Sequence, residues 1–100
     1  MYNIMFKINA LTTDSDFEAY ISDQYYTRIP VRLYFDITDF PTAYIYRAYK
    51  LKRVIESYRQ MSRKYLIDTT IYVSSPLMSK VLSSVLFVFR PEKPVHIVLI

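Results

Sequence analysis

The chain has 100 residues, of which 52% are hydrophobic and 22% charged, and it carries a formal net charge of +4. That length allows one hydrophobic core, and the apolar fraction is too high for an intrinsically disordered chain. The absence of cysteine and glycine excludes a disulfide framework, thiolate metal sites and the glycine-rich loops that bind nucleotide phosphates.

The sequence carries no signal for secretion or membrane insertion. Residues 1–11 include Lys7 within their apolar stretch and lack a cleavage site of small residues, so they do not resemble a signal peptide. The longest apolar run, 81–89, is interrupted by Ser83 and Ser84 and falls short of the roughly 20 residues of a membrane-spanning helix. We therefore expect a cytoplasmic protein, or one inside a virion or host cell, that has no membrane partner.

Strand and helix patterns are predicted to alternate along the chain. Apolar residues with a period of two indicate strands, and helical spacing after Ser, Thr, Asp or Pro indicates helices. The predicted strands cover residues 2–8, 31–37, 67–73 and 95–100. The predicted helices cover residues 15–24, 41 to 63 or 65, and 76–89. This order predicts an α/β fold with a single domain over residues 1–100, built on an open, mostly parallel sheet of about four strands.

Three segments carry expectations about burial. The first strand should bury alternate residues, beginning with Ile4. The long helix should pack one stripe against the sheet, and this stripe consists of Ala48, Leu51, Ile55, Tyr58 and Ser62. The last strand is apolar at nearly every position, which is typical of a strand covered on both faces. A place at the sheet edge, open to pairing with another copy, is the alternative.

The polar side chains offer little for catalysis. His96 is the single histidine and lies in the apolar last strand, so we expect a packed or hydrogen-bonded structural side chain. Asp36 and Asp39 stand at the C-terminal end of the second strand, where open α/β sheets bind ligands, and are candidates for holding a cation or for acid and base chemistry. Local capping of the backbone is the simpler interpretation. We expect no catalytic residue, metal, cofactor or small-molecule substrate.

Positive charge is concentrated between residues 41 and 68. Seven basic residues and two acidic ones give this segment a net charge of +5, whereas residues 1–40 carry −3. The candidates for electrostatic partner binding are Arg47, Lys50, Arg53, Arg59, Arg63 and Lys64. An acidic protein surface fits this charge, and nucleic acid or another polyanion is the alternative. A solvated outer helix face explains the same pattern.

The end of the last helix is apolar on nearly every side. This makes Phe87, Val88 and Phe89 a candidate apolar interface, because exposed apolar patches on small domains mark partner surfaces. Packing of the same residues around the sheet edge is the alternative.

The element order resembles that of the STAS domain, the family of bacterial anti-sigma-factor antagonists and sulfate-transporter tails. The strand 31–38, the helix after it, the strand 70–73 and the helix from Pro76 carry the resemblance. It implies a non-catalytic interaction module. The family's regulatory site, an Asp-Ser pair followed by Ser and Gly, falls at the helix start, where Asp39 and Thr42 are the nearest matches and the serine and glycine are missing.

These features predict a non-enzymatic protein–protein interaction module. It would self-associate, or belong to a regulatory, viral or phage assembly. A basic module that binds nucleic acid or another polyanion is the alternative.

Overall fold

The computed structural model describes residues 4–41 and 48–100, and the side chains of residues 4–41, 53–87 and 90–100. The strands are β1 (Met5–Lys7), β2 (Val31–Asp36), β3 (Leu66–Val73) and β4 (Val95–Leu99). The helices are α1 (Asp14–Tyr25), α2 (Ala48–Ser57), α3 (Arg59–Tyr65) and α4 (Pro76–Phe89). The predicted alternation of strands and helices is confirmed for these elements.

The four strands form one sheet in the order β1-β2-β3-β4, and every neighbouring pair is parallel. The predicted α/β fold with an open, mostly parallel sheet is therefore confirmed. One row across the sheet consists of Phe6, Phe35, Ile71 and Ile97, and the row before it consists of Met5, Tyr34, Thr70 and His96. Because side chains alternate along a strand, the two rows point to opposite faces. We call the face of the first row the covered face and that of the second row the open face.

The described helices pack on the covered face. Buried side chains of α1 and Val54 of α2 join Phe35 in one core, and α3 contributes partly buried residues to it. Met78 and Leu82 of α4 join Val73 in a second core. This one-sided arrangement follows from the strand order, since right-handed crossovers between consecutive parallel strands put each helix on the same face.

Helix α1 is fixed at its start by a capping box and along its length by an aromatic side chain. The Thr13 hydroxyl accepts from the N–H of Asp16 at 3.1 Å, and the Asp16 carboxylate accepts from the N–H of Thr13 at 3.0 Å. Tyr20 stacks on Phe6 with 4.9 Å between ring centroids. The Tyr20 hydroxyl donates to the carbonyl oxygen of Ile4 at 2.6 Å. These contacts hold α1 over β1.

The prediction of one long, continuous helix is wrong, because a break at Tyr58 separates α2 from α3. The Ser57 hydroxyl donates to the carbonyl of Val54 at 2.7 Å, and the Tyr58 N–H is shared between the carbonyls of Val54 and Ile55 at 3.3 and 3.2 Å. The serine therefore competes for an acceptor that a continuous helix needs. Residues 42–47 of the predicted helix lie outside the described residues.

The predicted buried stripe on this helix is wrong at Ile55. That side chain is 40% exposed, whereas its neighbour Val54 is 8% exposed and belongs to the first core. Tyr58 packs against the core as predicted. The hydroxyl oxygens of Ser62 and Tyr25 are 2.7 Å apart and form a hydrogen bond. The side chains of residues 48 and 51 lie outside the described ones.

The two edges of the sheet also differ from expectation. The expectation that β4 is covered on both faces is wrong, since Val98 on its open face is 36% exposed and Leu99 is 52% exposed. Among the described strands, β4 pairs with β3 alone. The physical reason is that each crossover adds a strand on the same side, which leaves the last strand outermost. Ile4 was expected on the buried face but is exposed, because β1 begins after it.

Two described residues adopt left-handed backbone conformations in a chain without glycine. They are Arg28 with φ of 54° and Arg90 with φ of 49°, and Arg90 closes the C-terminus of α4 through its N–H, which donates to the carbonyl of Leu86. Without glycine, Asp and Asn are the residues that ordinarily tolerate this conformation in turns. A side chain with a Cβ costs roughly 1–2 kcal/mol in this conformation.

We expect Val54→Asp to lower the free energy of unfolding by roughly 4 kcal/mol or more, because it places an unpaired charge in the first core. The adjacent Ile55→Asp should cost about 1 kcal/mol, as its side chain reaches solvent. Thermal unfolding followed by circular dichroism measures both. Equal destabilisation by the two substitutions would contradict the assigned helix face.

Arg90→Gly should raise the free energy of unfolding by about 1 kcal/mol, because glycine adopts the left-handed conformation without steric strain. Chemical denaturation measures the change. Arg90→Ala is the matched control, since it removes the same side chain but keeps the Cβ. Equal stability of the two variants would show that the backbone conformation at residue 90 stores no strain.

Candidate functional site

The open face of the sheet carries polar and aromatic side chains. Tyr34 on β2 and Tyr72 on β3 lie near its centre, in rows separated by the row of Phe35 and Ile71, and both are half-buried. Exposed side chains surround them, among which Met5 and Val98 are apolar. All-parallel sheets are ordinarily covered on both faces, whereas the described helices cover only one face of this sheet. The open face is therefore a candidate functional surface.

Charges on the open face are paired within it or beside it. Arg32 lies 3.6 Å from Asp68 between Nε and Oδ1, and His96 lies 3.7 Å from the same carboxylate between Nε2 and Oδ2. The Lys7 ammonium is 2.7 Å from Asp39, and this hydrogen bond raises the pKa of the lysine. The face therefore presents little net charge. His96 was expected to be packed or hydrogen-bonded, but its side chain is more than half exposed at the sheet edge.

The carboxylates of Asp36, at the end of β2, and Asp39, beyond it, hold the local backbone and a neighbouring strand. Asp36 accepts from the hydroxyl and the N–H of Thr38 at 2.6 and 2.9 Å, and these hydrogen bonds lower the pKa of Asp36. Asp39 pairs with Lys7. Thr42, the other residue of the predicted regulatory site, lies outside the described residues. Within the described part of the chain, no three His, Cys, Asp or Glu side chains are grouped so that they could hold a metal ion.

The hydrogen bonds of β4 show which of its backbone groups face outward. The carbonyl of Pro94 accepts from the N–H of Thr69 at 3.0 Å, and the N–H of Ile100 donates to the carbonyl of Val73 at 2.8 Å. In a parallel pair, alternate residues direct both backbone groups to the same neighbour. Even-numbered residues of β4 therefore bond to β3, and odd-numbered residues direct their N–H and C=O groups away from the sheet. These odd-numbered residues are Val95, Ile97 and Leu99.

The two edges of the sheet differ in how they are protected. β1 has 3 residues and includes Lys7, and both short length and lysine discourage pairing with another chain. β4 has 5 residues, and His96 is its single titratable side chain. Exposed apolar side chains continue from Val98 through Ile100. We call β4 with these side chains the β4 edge.

The predicted basic surface is partly neutralised by two glutamates. Arg59 donates to Glu92 at 2.7 Å through Nη1, and to Glu56 through Nε at 3.0 Å and Nη2 at 2.9 Å. Arg63 donates to both carboxylate oxygens of Glu92 at 3.1 and 2.9 Å. The hydrogen bonds lower the pKa of Glu92 to about 2 and raise the pKa of Arg63. Since Glu92 lies 29 residues beyond Arg63, no local pattern in the sequence indicated this cluster.

The other basic candidates are more dispersed. Arg53 and Lys64 are exposed, and the Lys64 ammonium lies 5.6 Å from the centre of the Tyr65 ring. Arg47 lies outside the described residues, and so does the side chain of Lys50. The structure therefore places two of the six predicted residues in an ion cluster and two in solvent.

The predicted apolar interface at the end of α4 is described at one position. Phe87 is largely exposed, and it follows the buried Met78 by nine residues, which places it on the opposite side of the helix. The side chains of Val88 and Phe89 lie outside the described ones. Among residues 4–41 and 48–100, α4 included, no helix combines the length and apolar character needed to cross a membrane.

A cavity of about 220 Å³ lies between the helices and the covered face. Its lining is mostly apolar and includes Phe35 and Ile71, with Arg59 and Glu92 also contributing. Phe40 and Ile55 line it as well.

Comparisons with protein-family models, curated proteins and solved structures find no match to this chain. The resemblance to STAS domains accordingly stays a prediction.

Glu92→Gln should lower stability at neutral pH, because it removes the carboxylate that joins α3 to the segment before β4. The native pKa lies below the ordinary value of 4.5, so this contribution is present above pH 4.5 and is lost as pH falls through about 2. The difference in unfolding temperature between wild type and variant should therefore shrink over that interval. A difference that does not change with pH would contradict the ion cluster.

Proposed function

We propose that this chain is a non-enzymatic protein-interaction module that binds its partner by strand addition at the β4 edge. The observation that supports this most directly is the outward direction of three successive pairs of backbone groups on a strand whose side chains, except that of His96, are apolar. A partner strand would satisfy these groups, and pockets beside them would select its side chains. The resemblance to STAS domains predicts the same class of function.

The charge distribution favours a protein partner over a polyanion. Each phosphate contact needs an available Lys or Arg, whereas Arg59 and Arg63 already donate to Glu92. Lys7 and Arg32 on the open face are likewise beside carboxylates. Of the six predicted basic residues, Arg53 and Lys64 are described as exposed, and they suit an acidic protein surface that approaches the helix side.

The groups considered for catalysis have structural partners in this fold. Asp36 holds the turn at Thr38, Asp39 pairs with Lys7, and His96 stands at the sheet edge near Asp68. A cytoplasmic setting, or the interior of a virion or host cell, belongs to the same proposal, as does a role in a regulatory or viral assembly.

Site-specific photocrosslinking tests the proposal. A benzoylphenylalanine at position 99 should capture one or a few defined proteins in an extract of the native source, because Leu99 lies on the β4 edge. The matched control places the same group at Leu11, which is 87% exposed in the loop after β1, on the opposite edge of the sheet. Equal capture from both positions, or none from position 99, would contradict the proposal.

Crosslinking in the same extract also tests the alternative that the partner is a polyanion. Capture of nucleic acid from position 99, or from a position on the surface of α3, would favour that alternative. In that case the affinity of the chain for random-sequence single-stranded DNA should fall steeply as the salt concentration rises. It should be lost in the double variant Arg53→Gln/Lys64→Gln. No binding at low salt would remove that alternative.

A further inference from the structure

We infer that the partner strand at the β4 edge is β4 of a second copy of this chain, paired antiparallel around Ile97. This inference rests on the proposed function, because it assumes strand addition at that edge. It identifies the partner and fixes the register of pairing.

The outward backbone groups determine the register. In an antiparallel ladder, directly opposed residues that exchange two hydrogen bonds recur at every second position, which is the spacing of Val95, Ile97 and Leu99. Pairing Ile97 with Ile97 of the second copy also opposes Val95 to Leu99 on both sides. All three outward residues of each copy are then satisfied, in about six backbone hydrogen bonds. Sliding one strand by two residues leaves an outward residue unpaired in each copy.

The side chains of β4 are compatible with this self-pairing. On the open face, His96 lies opposite Val98 of the second copy, so the one titratable residue of the strand faces an apolar side chain. On the covered face, Val95 lies opposite Leu99. No charged group is opposed to a like charge, and the two-fold axis makes the contact self-complementary.

The helix layer is compatible with the same arrangement. α4 packs on both β3 and β4, so it lies over the space between them. With strands about 4.8 Å apart, the two α4 helices of a continuous sheet would lie about 10 Å from each other, close to the 8–10 Å at which helices pack. The dimer would thus join the sheets and bring the helix layers into contact.

Because inward and outward backbone groups alternate along β4, a single substitution can remove an outward group and so test the pairing of the two copies. Leu99→Pro removes an outward N–H, leaves the inward hydrogen bond of Ile100 to Val73 in place, and replaces a side chain that is half exposed. Proline is tolerated on an edge strand where its missing N–H faces solvent. The matched control is Leu11→Ser, which removes exposed apolar surface from the opposite edge of the sheet.

The experiment combines sedimentation with amide hydrogen exchange of the full chain. Wild type and Leu11→Ser should sediment as dimers, and Leu99→Pro should be a folded monomer or dimerise with a dissociation constant raised at least about tenfold. In wild type, the amides of Val95, Ile97 and Leu99 should gain protection as protein concentration rises. The amides of His96, Val98 and Ile100 should be protected at every concentration, since they bond to β3.

Three results would overturn the inference. They are a wild type that is monomeric at about 1 mM, a dimer that Leu99→Pro leaves unchanged, and outward amides of the wild type that stay unprotected at that concentration. If Leu99→Pro does not fold, the exchange pattern of wild type still decides the question. A monomeric wild type whose position 99 captures a different protein would refute the second copy and leave the proposed function intact.

Discussion

The structure depends on one topological constraint, the addition of each parallel strand on the same side of the one before. Right-handed crossovers then place the described helices on a single face, and the hydrophobic side chains of the sheet concentrate there. The opposite face is left to polar and aromatic residues. The last strand to be added is left at the edge. Both candidate surfaces of the molecule therefore follow from strand order.

The covered face shows how a chain of this length builds its core from one side. Phe35 stands at its centre, with Phe17 stacked at 5.5 Å and Tyr20 edge-on at 5.5 Å between ring centroids. Val73 connects the sheet to α4 and is fully buried. Aromatic rings supply large buried area for few residues, which suits a two-layer fold with limited interior.

The ion cluster of Arg59, Arg63 and Glu92 makes the available positive charge of this surface smaller than the sequence predicts. It joins α3 to the segment that leads into β4, and so it helps to position the edge strand. A guanidinium that holds a carboxylate in this way is engaged in structure before any partner arrives. The net charge of the segment 41–68 consequently overstates the charge that this surface offers to a polyanion.

The sequence by itself determined the fold class and most element bounds, because alternation in β2 and capping residues such as Thr13 and Ser75 are local signals. It did not determine which side of α2 is buried, since Val54 and Ile55 are both apolar and only packing against the first core distinguishes them. It could not reveal Glu92 as the partner of Arg59 and Arg63, because that contact joins residues distant along the chain. It also left the place of β4 open. An apolar strand is expected both inside a sheet and at an edge that binds another strand, and only the tertiary order of the four strands distinguishes the two.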